Sequence, residues 1–471
     1  MTEPATQYRE RQTPPSTSAG FTFYALVVLL FVLYSRALDF FPVPLVTMFV
    51  FIASLVATVL SGQVTRLFQS RISKLWIILA VWLALSTAMS IWRAGSWLTL
   101  NGWLKALSVY FVTVGLIGSV DQCFRAVRTI AWAVGTLAVL SFVYGNTTSG
   151  RFFVDAGKFQ GPNELAQVLL LAVPFLCLLF SRSPRISVTR FAVLGVMAIV
   201  GVVLMHTGSR GGMVAAGAMA LVALASARSK GMAAAVAAGA LVIMIGALTL
   251  SEPLRTRYLT FFDSDVDEGT SKQTATMSKT ASDSAEERWQ LLQDSLAITL
   301  EHPLLGTGPG MFAELRERRA HSLRTHVPFL ETHNSYTQLS SEGGIPAALL
   351  FIAIIVGCFR SAVRIQRLAS KEPTKRMQDL AAMASAMKYS LLSFGISSIF
   401  LSAAYGSLLP TLAGLVVALE YTFRAELASR PSDRAWPKSR SATKAPGGPR
   451  PVPVSPVSSR FGAGGPAYRN G

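Results

Sequence analysis

The stretch Glu331–Ile345, E-T-H-N-S-Y-T-Q-L-S-S-E-G-G-I, closes a long polar segment and opens a strongly apolar run, Pro346–Val356. A histidine, His333, therefore stands where a water-facing loop becomes the first turn of a membrane helix. Outward from this junction the chain divides into apolar helices on both sides and one long polar excursion just before it.

The composition supports that division. Of 471 residues, 51% are hydrophobic and only 14% charged, where a soluble protein carries about a quarter charged residues. Mean hydropathy is +0.44. Apolar runs near the length needed to cross a bilayer fall at Phe21–Ser35, Val43–Leu60, Leu75–Ile91, Leu98–Gly118, Phe124–Tyr144, Glu164–Phe180, Phe191–Met205, Gly212–Ala227, Met232–Leu250, Ile345–Cys358, Ala382–Leu401 and Leu408–Phe423. The expected fold is all-α: a polytopic integral membrane protein of about 12 transmembrane helices, with a large external loop between helices 9 and 10. Residues 1–20 and 425–471 read as disordered cytoplasmic arm and basic tail, too polar to offset chain entropy. The first apolar run lacks a small-residue cleavage site and is expected to remain as a membrane helix.

The net charge of +18 does not point to nucleic acid, because Lys and Arg gather in short loops and the tail. Arg66/Arg71/Lys74, Arg182/Arg185/Arg190, Arg228/Lys230 and the Arg360–Arg376 cluster share one side in a twelve-span count. By the positive-inside rule that side is cytoplasmic, and residues 251–332 lie outside, in the periplasm of a cell with two membranes. In this segment Arg255–Asp283 reads as flexible loop. Ser284–Leu300 reads as an amphipathic helix with Trp289, Leu292, Leu296 and Leu300 at helical spacing and Ser284/Glu287 as a capping box. Pro303 ends it, and Gly306-Thr-Gly308-Pro-Gly310 makes a tight turn before Phe312.

Four places on the outer face could carry chemistry. At His333-Asn334-Ser335-Tyr336, free amides at a helix start favour a neutral imidazole, able to accept a proton; the structural alternative is a helix-capping histidine. In Thr207-Gly208-Ser209-Arg210-Gly211-Gly212, small neighbours let backbone approach a ligand, and Arg210 matches phosphate bidentately; the alternative is a snorkelling arginine. Arg288 shares a helix with Glu286 and Glu287 and taken alone reads as a solvated charge. In Gly161-Pro162-Asn163-Glu164-Leu165-Ala166, Asn163 fits a helix cap, while Glu164 at the membrane edge calls for a partner. Lys105 can reach the same face or snorkel, and Lys388 reads as snorkelling near the inner face. Cys123, Cys177 and Cys358 lack metal spacing or an obvious disulfide pairing. Asp263-x-Asp265-x-Asp267 continues with Glu268 and Thr274 where a calcium loop needs Gly and Glu. His302, His321 and His326 have no partner at metal-ligand spacing.

The ordered set G-P-N-E-L-A (161–166), T-G-S-R-G-G (207–212), E-R-W (287–289), E-H-P-L-L-G-T-G-P-G-M-F (301–312) and H-N-S-Y followed by E-G-G-I-P resembles the O-antigen ligase and polymerase superfamily of bacterial cell-envelope enzymes. The resemblance implies a metal-independent, inverting glycosyltransferase of the inner membrane, with its site on the periplasmic face and no cofactor. Its donor would be an undecaprenyl pyrophosphate-linked glycan and its acceptor a hydroxyl on a lipid core, protein or glycan. His333 would be the catalytic base and Arg210 and Arg288 the pyrophosphate-binding pair. Asn163, Glu164, Lys105, Asn334 and Tyr336 would be further substrate-binding candidates. A transporter or flippase of lipid-linked saccharide is the competing reading, and would place polar groups at mid-bilayer depth.

Overall fold

The computed structural model describes residues 17–148, 151–153, 161–226, 272–322, 324 and 327–429. The expected terminal arms beyond these bounds, the span at Met232–Leu250 and the first part of the external segment lie outside the described residues. The helices are α1 (Thr17–Ser35), α2 (Ala37–Phe40), α3 (Val46–Leu60), α4 (Arg71–Ala88), α5 (Arg93–Leu116), α6 (Val120–Tyr144), α7 (Pro162–Arg182), α8 (Val188–His206), α9 (Arg210–Ala225), α10 (Lys272–Glu301), α11 (Phe312–Ser322), α12 (Ser335–Ala369), α13 (Lys375–Ser397) and α14 (Leu408–Ala428). Among them α4, α6, α7, α8, α12 and α14 are long and apolar enough to cross a membrane, and Thr22–Ser35, α3 and α9 are shorter apolar helices. The described elements are helical, in accord with the all-α expectation, apart from a short antiparallel pair of Asn146–Thr148 with Arg151–Phe153.

The bundle core joins α1, α4–α7 and α12–α14 around the fully buried Trp76, Trp103, Tyr110, Phe175, Phe351 and Phe394. Small residues set how close the helices come, as membrane packing requires. A Cβ at Gly414 would lie 2.8 Å from Thr113 and 3.1 Å from the Tyr110 carbonyl. Hydroxyls inside the bundle find partners: Ser73 and Tyr110 pair at 2.6 Å, and Ser390 donates to Leu171 O at 2.7 Å. Lys388, expected to snorkel, is instead buried along α13 with its ammonium over the Tyr389 ring.

The described basic loops, around Arg66, Arg182 and Arg376, collect at one end; Arg228/Lys230 lies outside the described residues. Tyr421 donates to Arg66 O, Arg182 pairs with Asp379 at 2.6 Å, and Arg376 with Glu426 at 3.5 Å. Since α7 runs from Glu164 to Arg182, and α14 from Leu408 past Glu420, the starts of both helices lie at the opposite end.

There α12 is broken. Gly344 takes φ 79° and ψ 171°, and Pro346 supplies no N–H and crowds the carbonyl four residues back. The break re-aims the chain: the Tyr336 and Phe351 rings lie 6.0 Å apart, although a straight helix would separate those positions by about 22 Å. Residues 335–343 therefore fold back, and the apolar helix begins at Ile345. His333 precedes this separate polar segment rather than the membrane helix itself, which corrects the sequence expectation.

Three carbonyls at the break, those of Ser341, Glu342 and Gly343, are received by groups outside the helix. Thr307 N donates to Ser341 O (3.0 Å), Gly308 N to Glu342 O (2.8 Å) and Trp82 Nε1 to Gly343 O (2.9 Å). Ile345 N donates to Pro303 O at 2.8 Å, and the buried Glu342 carboxylate accepts from Gly310 N and Phe312 N at 2.8 and 3.3 Å. The turn at 306–310 docks against the E-G-G-I-P break this way, with Gly306, Gly308 and Gly310 all at positive φ.

α10 starts at Lys272, so Ser284 lies inside the helix rather than capping it, and part of the expected flexible loop is helical. Its buried face carries Leu291 and Ile298, packed with Phe312, Leu315 and Leu330. Trp289, Leu296 and Leu300 of the expected stripe are exposed.

Gly344→Ala puts a Cβ onto the Leu304 carbonyl at a left-handed φ, a strain of roughly 1–3 kcal/mol before the clash is counted. Its thermal midpoint in detergent is expected several degrees below wild type. Gly357→Ala in the same helix meets only an ordinary 3.7 Å contact with Ile72 and is expected to leave the midpoint unchanged. Equal midpoints for all three proteins would contradict the docking described above.

Candidate active site

His333 is held by its backbone. Its φ of 50° is a left-handed conformation that costs a non-glycine residue about 1–2 kcal/mol, so neighbouring bonds must maintain it. Its N–H donates to Ser402 Oγ at 2.9 Å, and the Thr332 hydroxyl pairs with the same oxygen at 3.3 Å. Ser335 anchors the next turn: its N–H donates to Ser398 O (2.8 Å), its hydroxyl donates to Leu401 O (2.6 Å) and accepts from Ala403 N (2.8 Å). Residues 398–404 thus form a bracket under the histidine. Gln167 of α7 ties in from below through Ser397 Oγ at 2.9 Å.

Two substrate-binding candidates turn out to be occupied by the fold. Asn334 is the N-cap, its Oδ1 accepting from Tyr336 N and Thr337 N at 2.9 and 3.2 Å. Tyr336 donates its hydroxyl to Gly395 O at 2.7 Å and packs its ring on Phe351. Both sets of bonds hold the turn that carries His333.

Arg210 opens α9, whose N-cap Ser209 accepts from Gly212 N at 3.2 Å. The glycines that follow set its place: a Cβ at Gly211 would lie 2.7 Å from Phe400 in the bracket, and one at Gly212 would lie 3.2 Å from Ala166 of α7. Arg210 is brought in this way to the same end as Glu164 and His333. Glu164 turns its carboxylate back over Gly161. The N-cap of α7 is Gly161, so Asn163, expected as a possible cap, lies inside the first turn.

Arg288 on α10 completes the cluster. Burial first, then the like charge of Arg210, holds its guanidinium below the usual value, while Glu164 and Glu287 oppose that shift. Burial and the Arg288 charge also hold the His333 imidazole below 6.5, so it stays neutral at physiological pH, the form that accepts a proton. His333, Arg210, Arg288 and Glu164 therefore share one electrostatic neighbourhood. Lys105 does not join it: its side chain is exposed, well along α5. Among the described residues no group of three or more His, Cys, Asp or Glu could hold a metal ion.

Sequence reasoning passed over Ser402, Gln167 and Glu331, whose carboxylate faces Ser402 and feels Glu164. The available signal was the serine run in S-S-I-F-L-S (397–402), which the expected span Ala382–Leu401 absorbed; the helix ends at Ser397.

Peptide-resolved diethyl pyrocarbonate modification reads the imidazole directly, since only the neutral ring reacts. The His333 inflection is expected below 6.5 in wild type and closer to it in Arg288→Gln, where the repelling charge is gone. An inflection above 6.5 in wild type would refute this electrostatic picture.

A family model described as O-antigen ligase matches residues 195–352. No curated protein matches the chain. The matched stretch contains Arg210, Arg288 and His333, and it supports placing the chain in the O-antigen ligase and polymerase superfamily.

Proposed function

We propose that this multi-pass membrane protein transfers a glycan from undecaprenyl pyrophosphate to an acceptor hydroxyl, by a metal-independent, inverting displacement on the periplasmic side of the inner membrane. The family match indicates activity of the O-antigen ligase or polymerase type. What supports the finer reading is a half-buried His333 held on Ser402 at 2.9 Å, at the end of the bundle where Arg210 opens α9 against Phe400, with burial and the Arg288 charge keeping the imidazole neutral.

In this reading the acceptor oxygen forms a bond to the anomeric carbon as the bond from that carbon to the pyrophosphate oxygen breaks. The acceptor's proton passes to His333, and the released pyrophosphate keeps the electron pair. Arg210 and Arg288 stabilise that departing charge, and in a partly desolvated site such fixed donors act more strongly than in water. Glu164 offsets part of the positive charge and limits the mutual repulsion of the two arginines. The acceptor is the lipid core, a protein or another glycan; ligase and polymerase chemistry share the same leaving group. That α7, α9 and α12 begin at this end while the described basic loops lie at the other supports, by the positive-inside rule, a site outside the cytoplasm.

The test is transfer from purified undecaprenyl pyrophosphate glycan by the protein in lipid nanodiscs with a chelator present. His333→Ala is expected to lower kcat by about 10²–10⁴-fold, the usual worth of general-base help. Arg210→Ala and Arg288→Ala are expected to fall further than the corresponding Lys variants, which keep the charge but not the fork. Full turnover by His333→Ala and Arg210→Ala would remove the proposed mechanism.

A further inference from the structure

The external helix α10 has three faces. Leu291, Ser295 and Ile298 are buried, and Thr299 Oγ1 meets Ser340 Oγ at 2.8 Å. Gln290, Gln293 and Glu301 are exposed and polar. Between these faces Trp289, Leu296 and Leu300 are 59%, 46% and 77% exposed, and at 100° per residue they fall within about 40° of one another. A helix covered on one side only, facing water on the rest, has no reason to gather its exposed apolar residues into one stripe beside its exposed polar ones.

What covers this stripe is indicated by where it leads. Leu304, just past the helix, is exposed, and its carbonyl and that of Pro303 abut Gly344 and Ile345, where the apolar part of α12 begins. Ile345 and Leu349 continue the exposed apolar surface along that helix. The same turn carries a depth marker. Ile91 N and Ser90 Oγ donate to Thr307 O at 3.2 and 3.0 Å, which ties the turn to the start of α5, where Trp92 and Trp97 are exposed. Exposed tryptophans at helix ends mark the level of lipid headgroups. The orientation of α10 follows from its neighbours: Arg288 feels the His333 region, Thr299 meets Ser340, and Pro303 meets Ile345. α10 therefore runs alongside residues 335–343, the segment that folds back from the membrane helix at Gly344.

We infer that α10 lies in the headgroup–acyl boundary of the bilayer on the side of the candidate site, with Trp289, Leu296 and Leu300 in contact with phospholipid. The occupant is the bilayer surface, because the stripe is continuous with the apolar face of a membrane helix. Helices with this division of faces bind the interface through their buried apolar area. The arrangement also sets the depth of Arg288, the residue next to Trp289: its guanidinium is held at phosphate level, where a lipid-linked diphosphate would present its charge.

Carbene footprinting of the full-length wild-type chain in phosphatidylethanolamine/phosphatidylglycerol nanodiscs tests the inference without any variant. With the diazirine on the lipid acyl chain, Trp289, Leu296 and Leu300 are expected to be marked to the degree of Leu349 and several-fold above Gln290, on the polar face, and the exposed Arg318 of α11. Marking of the stripe by a water-soluble diazirine instead would overturn the inference, since α10 would then stand clear of the membrane. Protection from both reagents would overturn it as well, because protein, such as a second copy of the chain, would then cover the stripe.

Discussion

A break in a membrane helix leaves backbone carbonyls that lipid cannot satisfy, and the arrangement of this site depends on how that need is met at Gly344. The amides of Thr307 and Gly308, with the Trp82 indole, take up the released carbonyls, and the Glu342 carboxylate takes two further amides in return. Each unsatisfied group in such a setting would cost several kcal/mol. The consequence is mechanical: a segment expected to hang outside the bundle is pinned to it at the point where the helix changes direction.

From that anchor the geometry of the candidate site unfolds in two branches. One is the fold-back of residues 335–343, which lays His333 on the bracket between α13 and α14 and fixes its left-handed backbone through Ser402. The other is α10, which leaves the docked turn and carries Arg288 back along the same segment. α9 adds Arg210 because its first glycines admit Phe400 and Ala166 without a side chain between. Burial and like charge then act together to keep the imidazole neutral and to hold the Arg288 guanidinium below its usual value.

Much of this was legible from residues alone. Apolar runs located the helices, since in lipid only hydrogen-bonded helices or closed barrels satisfy their backbones. Arg210 and His333 stood out because a charge and an imidazole at helix starts are costly without a purpose. Arg288 did not, being one of several charges on an external helix, and its weight came from the motif set and then from its neighbours. The errors share a cause. Asn163 and Ser284 were judged by local capping rules, yet both lie inside their helices, while Asn334, taken as a substrate-binding candidate, is the residue that caps one; which carbonyls a turn can reach depends on distant chain. The serines at 397–402 were hidden inside an apolar run because a loop buried among helices need not look polar.

The amino-acid order by itself determined that the chain is helical and membrane-borne, and it singled out Arg210 and His333 at helix starts, because transfer free energy and turn chemistry are local properties. Only the tertiary structure decided that Gly344 breaks α12, that the turn at 306–310 fills the break, and that Arg288 reaches His333 across more than forty residues of chain. Those outcomes rest on pairing backbone groups far apart in sequence, and no local pattern records which distant amide will meet which carbonyl.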